Sequence, residues 1–138
     1  MTQAPTGLIH HLELNVESLQ DSLHFWVPLL TRLGYAEYQR WERGASYRLQ
    51  GTYLVFVEAA PAHAGAGYHR KRLGLNHLAF HAASRAQVDE LTDWARNAGY
   101  RVLYEDRHPY AGGPGYYALY CEDPNGFKVE LVAPPEDA

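Results

Sequence analysis

The chain contains the same pattern twice, and that repeat restricts its fold more than any other feature of the sequence. His11-Leu12-Glu13-Leu14-Asn15-Val16-Glu17-Ser18 is matched 66 residues later (11 to 77) by His77-Leu78-Ala79-Phe80-His81-Ala82-Ala83-Ser84. Each copy runs into a helical pattern, which stops at Leu33-Gly34-Tyr35 in the first and Ala98-Gly99-Tyr100 in the second. Each then ends in an apolar run that holds one glutamate and precedes a proline: Glu58 before Pro61, and Glu130 before Pro134.

Pattern assigns the elements inside each copy. Residues 8–16 alternate, with Leu12, Leu14 and Val16 on one face and His11, Glu13 and Asn15 on the other. Ser18 and Asp21 open a helix whose stripe is Leu19, Leu23, Trp26, Leu30 and Leu33. Ser84 and Gln87 open the second, with Val88, Leu91, Ala95 and Ala98 as its stripe. Gly34 and Gly99 suit the left-handed residue that ends such helices. Pro28 is expected to kink or break the first. Three strands are expected after each helix, at 35–41, 45–50 and 52–59, then at about 100–105, 115–121 and 126–133. Asp123-Pro124-Asn125-Gly126 is a strong turn signal.

The expected fold is therefore α+β: two tandem βαβββ modules, about 8–60 and 73–134, joined by a linker at 61–72 within one domain spanning 1–138. A chain of 138 residues with 46% hydrophobic and 20% charged residues is suited to one such domain. A formal net charge of −4 argues against nucleic-acid and anionic-membrane partners. No apolar run reaches the roughly 18–20 residues that cross a bilayer, and residues 1–7 lack the features of a signal peptide. The single cysteine, Cys121, cannot make an internal disulfide and sits in a strand pattern, so a packed, inert thiol and a cytoplasmic setting are expected.

Strand alternation also sorts the polar side chains. His11 and His77 fall on the face opposite the helices, and so does Glu130, with Lys128 and Val132. In the fourth strand, Val55 and Val57 are expected to face the helix, with Leu54, Phe56 and Glu58 on the open side. If the two sheets curve around a shared cavity, His11, His77, Glu58 and Glu130 project into it. Two carboxylates in a partly dehydrated cavity repel, and a divalent cation relieves that repulsion. Two imidazoles with one or two carboxylates are sufficient ligands. Taken alone, each residue fits an ordinary polar strand position better than a metal site; equivalent positions in two repeats and consistent facing carry the joint case.

At these residues the chain resembles the vicinal oxygen chelate superfamily, which includes glyoxalase I, extradiol dioxygenases, fosfomycin-resistance transferases and bleomycin-resistance proteins. The resemblance runs from about Leu8 to Pro134 and is carried by Ile9-His10-His11-Leu12-Glu13-Leu14-Asn15-Val16, Leu75-Asn76-His77-Leu78-Ala79-Phe80 and Asp123-Pro124-Asn125-Gly126-Phe127-Lys128-Val129-Glu130-Leu131. It implies an open, barrel-like, U-shaped sheet with the helices outside. It also implies one divalent metal ion (Zn, Ni, Mn, Co or Fe) on His11, His77 and Glu130, with Glu58 as a fourth ligand or a base. Glyoxalase-like chemistry would have Glu130 or Glu58 transfer a proton through an enediolate of a small substrate with vicinal oxygens, as a lyase or isomerase.

Two other activities stay open. Tyr120, ahead of the Asp123 turn, resembles the ring-cleaving dioxygenases, although their further histidine before the tyrosine is replaced here by Ala111-Gly112-Gly113. A drug- or metabolite-binding protein without catalysis would suit the aromatic supply of Tyr47, Phe56, Tyr104, Tyr110, Tyr116 and Tyr117, which equally suits core or rim packing. Tyr47, Phe56, His81 and Tyr120 are the expected substrate contacts, and the Gly/Pro-rich segment 107–115 is either a lid or a surface loop. By resemblance, the partners are a small molecule and a second copy of the chain in a homodimer.

Overall fold

The computed structural model describes residues 6–136, and the chain divides into two compact units, Met1–Ala66 and Gly67–Ala138. The division falls inside the 61–72 segment, which holds a short 3-10 turn, Ala64–Ala66. The first unit comprises β1 (His11–Val16), α1 (Leu19–Arg32), β2 (Ala36–Trp41), β3 (Gly44–Leu49) and β4 (Thr52–Glu58). Its sheet runs β1-β4-β3-β2, with β1 and β4 parallel and the other pairs antiparallel. The second unit comprises β5 (His77–His81), α2 (Arg85–Asn97), β6 (Ala118–Glu122) and β7 (Lys128–Val132), in the order β5-β7-β6. Both sheets are open and the class is α+β.

The repeat is visible in how the helices begin and end. Ser18 Oγ accepts from Asp21 N at 3.2 Å, and Ser84 Oγ from Gln87 N at 3.0 Å, so each serine satisfies an amide that the first turn leaves free. Gly34 and Gly99, with φ of +98° and +85°, follow the two ends in the conformation glycine adopts without strain.

Helix α1 runs through Pro28 without the break that was one of the two expected outcomes. An interior proline costs about 3 kcal/mol. Phe25, Trp26, Leu29 and Leu30 flank it and are wholly buried, and each such side chain contributes about 1.5–3 kcal/mol on burial. Their sum exceeds the proline penalty.

Among its described residues the second unit has three strands where four were expected. Residues 100–105 supply one bridge, Val102 to Cys121, flanked by Leu103 N donating to Tyr120 O and Glu122 N to Arg101 O. Tyr104 then turns to φ +58°, a left-handed conformation that ends extended pairing.

The fourth strand faces the other way from expectation. Tyr53, Leu54, Val55, Phe56 and Val57 are all apolar or aromatic, so alternation carries no polarity signal there. The β1–β4 register pairs Leu12 with Leu54, Leu14 with Phe56 and Val16 with Glu58, which places all three on the helix side. The Phe56 ring lies 5.0 Å from Trp26 of α1. Tyr53, Val55 and Val57 share the face of His11 instead. This is the one-residue slip that turns every side chain over.

Cys121 is fully buried, and burial pushes its thiol up to about 12. In native protein it is expected not to react with an aromatic disulfide reagent at mildly alkaline pH, with one thiol per chain released by denaturant. Rapid native reaction would show the core around β6 to be open.

Candidate functional site

The open face of β5-β7-β6 gathers the polar groups of the second unit, because in-register neighbours point the same way. The pairings form successive rows: His77, Lys128 and Glu122; then Ala79, Glu130 and Tyr120; then His81, Val132 and Ala118. The predicted facing of β7 is the observed one, since Lys128, Val129, Glu130 and Leu131 alternate in polarity where β4 does not.

Glu130 is only 3% exposed, and a carboxylate so placed needs partners. Its Oε1 lies 3.2 Å from His77 Nε2, while its Oε2 accepts from the Tyr116 hydroxyl. Hydrogen bonding to Glu130 pushes the Tyr116 phenol up to about 12. Tyr120, beside Glu130 in the β6–β7 register, also rises to about 12, from burial and then the nearby carboxylate charge. Both phenols therefore keep their protons. The loop reaches Tyr116 closely because residue 112 is glycine: a Cβ there would meet the Tyr116 ring and the Tyr120 hydroxyl.

His77 is oriented from its other nitrogen. Nδ1 lies 2.7 Å from Asn76 Oδ1, an acceptor, which assigns the ring proton to Nδ1. A neutral imidazole then presents the Nε2 lone pair to Glu130 Oε1. Two acceptors at 3.2 Å are reconciled by a proton shared between them or by a cation. Ligands each about 2.1 Å from one ion lie about 3.0–3.4 Å apart, so this pair fits two corners of a metal site. The Asn76 contact is the kind of outer hydrogen bond that fixes a metal-binding histidine. Among the described residues no group of three or more His, Cys, Asp or Glu side chains is gathered for a metal.

In the first unit His11 stands on the exposed face of β1, stacked on Tyr53 with ring centres 4.7 Å apart. Its Nδ1 lies 2.9 Å from His10 Nδ1. Glu58 is not brought to His11. It sits at the other end of β4, beside Val16, where Oε1 accepts from Leu19 N at 3.1 Å and Oε2 lies 3.6 Å from Arg43. Glu58 therefore satisfies the first turn of α1. A cleft of about 600 Å³ along α1 includes Glu58 and Leu19; its lining contains neither His11 nor Tyr53. Nor is Glu58 the counterpart of Glu130: Glu130 pairs with Ala79, two residues past His77, and the matching residue of β4 is Val55, paired with Glu13.

Two expected substrate contacts are likewise core residues. Phe56 is wholly buried against Trp26, and Tyr47, 4% exposed, packs on Phe56 and receives Arg40 at its hydroxyl. Tyr120 lies beside Glu130, and His81 is exposed on the same face one row further along. Two further residues join the site: Lys128, which alternation already placed on this face, and Tyr104, one of the aromatics suited to a binding pocket, which receives a hydrogen bond from Lys128 Nζ at 3.0 Å. Only the left-handed turn at Tyr104 brings it there, and no motif marks that turn.

Comparison with known proteins agrees with this architecture. The uncharacterised Bacillus subtilis (strain 168) protein YqjT is 55% identical over 126 residues, covering 91% of this chain and 98% of that protein. The crystal structure of a candidate glyoxalase from Bacillus halodurans superposes with a TM-score of 0.92 at 57% identity, covering 94% of this chain and 97% of that one. A lactoylglutathione lyase from Agrobacterium tumefaciens shares the fold, with a TM-score of 0.63 at 20% identity over 95% of this chain and 96% of its own. No helix among the described residues is long and apolar enough to cross a membrane. The family model for the Glyoxalase/Bleomycin resistance protein/Dioxygenase superfamily matches residues 8–131, and the chain belongs to that superfamily.

Proposed function

We propose that the chain is a metal-dependent enzyme of the glyoxalase-like class, a lyase or isomerase that moves a proton on a small substrate carrying neighbouring oxygens. The observation that supports this reading best is the His77 Nε2 to Glu130 Oε1 approach, an imidazole–carboxylate pair oriented by Asn76 and Tyr116. His77 and Glu130 would hold one divalent ion. His11 stands in β1 where His77 stands in β5, and repeat equivalence makes it the candidate metal ligand of the first unit. Glu58 is left out, because its carboxylate is used at the start of α1.

A bound ion of this kind polarises the oxygens it contacts and makes an adjacent C–H more acidic. The chain's own part is to position and to hold protons. Glu130 is the carboxylate suited to accept a proton. Tyr116 donates to its Oε2, and both Tyr116 and Tyr120 remain protonated, so they can steady the carboxylate or donate to a substrate oxygen. Tyr120 beside Glu130 also supports a second reading, ring cleavage on Fe, which the same donor set accommodates. Zn, Ni, Mn or Co would go with proton transfer. A small-molecule substrate, a homodimeric assembly and a cytoplasmic setting complete the proposal.

Elemental mass spectrometry of untagged protein tests it. About one equivalent of a divalent ion per chain is expected, lost in His77→Ala and in His11→Ala. Zn, Ni, Mn or Co supports the lyase or isomerase, and Fe with oxygen uptake on catechols supports the dioxygenase. Protein that carries no metal and binds none on addition would end the catalytic reading and leave a ligand-binding protein.

A further inference from the structure

The row next to Glu130 carries a charge imbalance that the metal site does not use. Lys128 Nζ donates to the Tyr104 hydroxyl at 3.0 Å and lies over the rings of Tyr104 and Tyr120, at 5.0 and 5.2 Å from their centres. Among the described residues it has no carboxylate partner. The neighbouring carboxylate, Glu122, is already shared: Arg70 Nη1 lies 3.2 Å and Arg101 Nη1 3.8 Å from the same oxygen. The Arg107 guanidinium also lies over the Tyr104 ring, 5.0 Å from its centre, with Asp106 4.0 Å from its Nε. Two guanidinium groups thus share the Glu122 carboxylate, and the Lys128 ammonium of the same row is left without one.

Two further facts mark this as a built arrangement. Among the described residues Tyr104 is one of two non-glycine residues with positive φ, at +58°. Such a backbone costs on the order of 1–3 kcal/mol and persists where its surroundings demand it. Its phenol is also held below the ordinary range, first by the Lys128 hydrogen bond and further by the charges of Lys128 and Arg70. A half-buried ammonium whose hydrogen-bond acceptor is a neutral phenol lacks the anion that would compensate its lost hydration.

We propose that Lys128, Tyr104 and Arg70 form an anion-binding subsite on the open face of β5-β7-β6, which seats a carboxylate or phosphoryl group of the substrate. This deepens the proposed function and rests on the reading that this face is the substrate face. Lys128 and Glu130 are two residues apart on one strand, about 7 Å. A substrate spanning them is a small acid or phosphorylated compound with its reacting oxygens a few bonds from the anionic group.

The test uses full-length protein stripped of metal with a chelator, so that anions cannot bind through an ion. It is titrated with inorganic phosphate, and separately with acetate, while amide shifts are followed by NMR. Saturable binding of at least one anion is expected, with the largest shifts around Tyr104 and Lys128. Lys128→Met should weaken it at least about tenfold, the loss of one charge-assisted hydrogen bond. Arg70→Gln should weaken it severalfold and serves as the second variant if Lys128→Met does not fold. Preference for phosphate assigns a phosphoryl group, and preference for acetate a carboxylate. No saturable binding of either anion, or affinity unchanged in the folded variants, overturns the subsite. Anion binding by a protein that takes up no metal would keep the subsite and discard the enzymatic reading.

Discussion

Glu130→Gln is expected to weaken divalent-metal binding at least about 100-fold while the fold persists. Loss of an outer hydrogen-bond partner typically costs 10–100-fold in metal affinity, and removing a charged ligand costs more. Glutamine keeps the shape and one acceptor oxygen, so the Tyr116 hydroxyl retains a neutral partner in place of a charged one, a change of about 1 kcal/mol. The metal-free variant should therefore melt near the wild type. Metal-linked stabilisation separates them. At a free ion concentration 100 times the wild-type Kd, binding adds about 2.7 kcal/mol. A variant 100-fold weaker is half-saturated at that concentration and gains only about 0.4 kcal/mol. Competition with a chromophoric chelator supplies the affinities, and paired melts with and without the ion supply the stabilisation. Wild-type affinity in Glu130→Gln would remove the carboxylate from the metal site and leave Glu130 as a hydrogen-bond acceptor for Tyr116.

The residues of this site differ in how readily the sequence discloses them, and the difference has a physical origin. His77 and Glu130 lie on strands that alternate in polarity, so one residue's facing fixes the rest. On β5 the exposed positions are His77, Ala79 and His81, with Leu78 and Phe80 less exposed between them. Lys128 and Glu130 bracket Val129 in the same way. The Asp123 turn is equally local: Asp123 Oδ1 accepts from Asn125 N at 2.8 Å and Phe127 N at 2.9 Å, which sets where β7 begins. Strand β4 offers no such guide, since both of its faces are apolar. There the apparent pairing of Glu58 with Glu130, each in a terminal apolar run, misleads by three positions. The register shows Val55 in the matching place.

Tyr104 and Tyr116 are hidden for a different reason. Their roles depend on where the 99–117 segment runs, and no periodicity governs that path. The expected strand at 100–105 reduces to one bridge, and the left-handed turn at Tyr104 diverts the chain back over Lys128. Pro28 is the converse case. Its local signal is strong but is overruled by wholly buried neighbours that only the folded helix brings together.

Phe56→Ala separates the two readings of β4 by the size and kind of its effect. On the substrate face, as alternation first suggested, the change would weaken ligand binding and leave stability within about 0.5 kcal/mol. The structure puts Phe56 at 0% exposure, 5.0 Å from Trp26 and 6.4 Å from Tyr47, between the sheet and α1. A phenylalanine removed from such a place costs about 3–5 kcal/mol, the lost transfer energy plus the cavity left behind. That is a large share of the 5–15 kcal/mol by which a domain is stable. Urea unfolding should show the midpoint falling sharply with little change in slope. Phe56→Leu, which restores most of the volume, should recover the greater part of the loss. The anion titration of the second unit should be unchanged in Phe56→Leu, because Phe56 belongs to the packing of α1 and not to the face that carries Glu130. An alanine variant with wild-type stability would return Phe56 to the open face and move the whole β4 register by one residue.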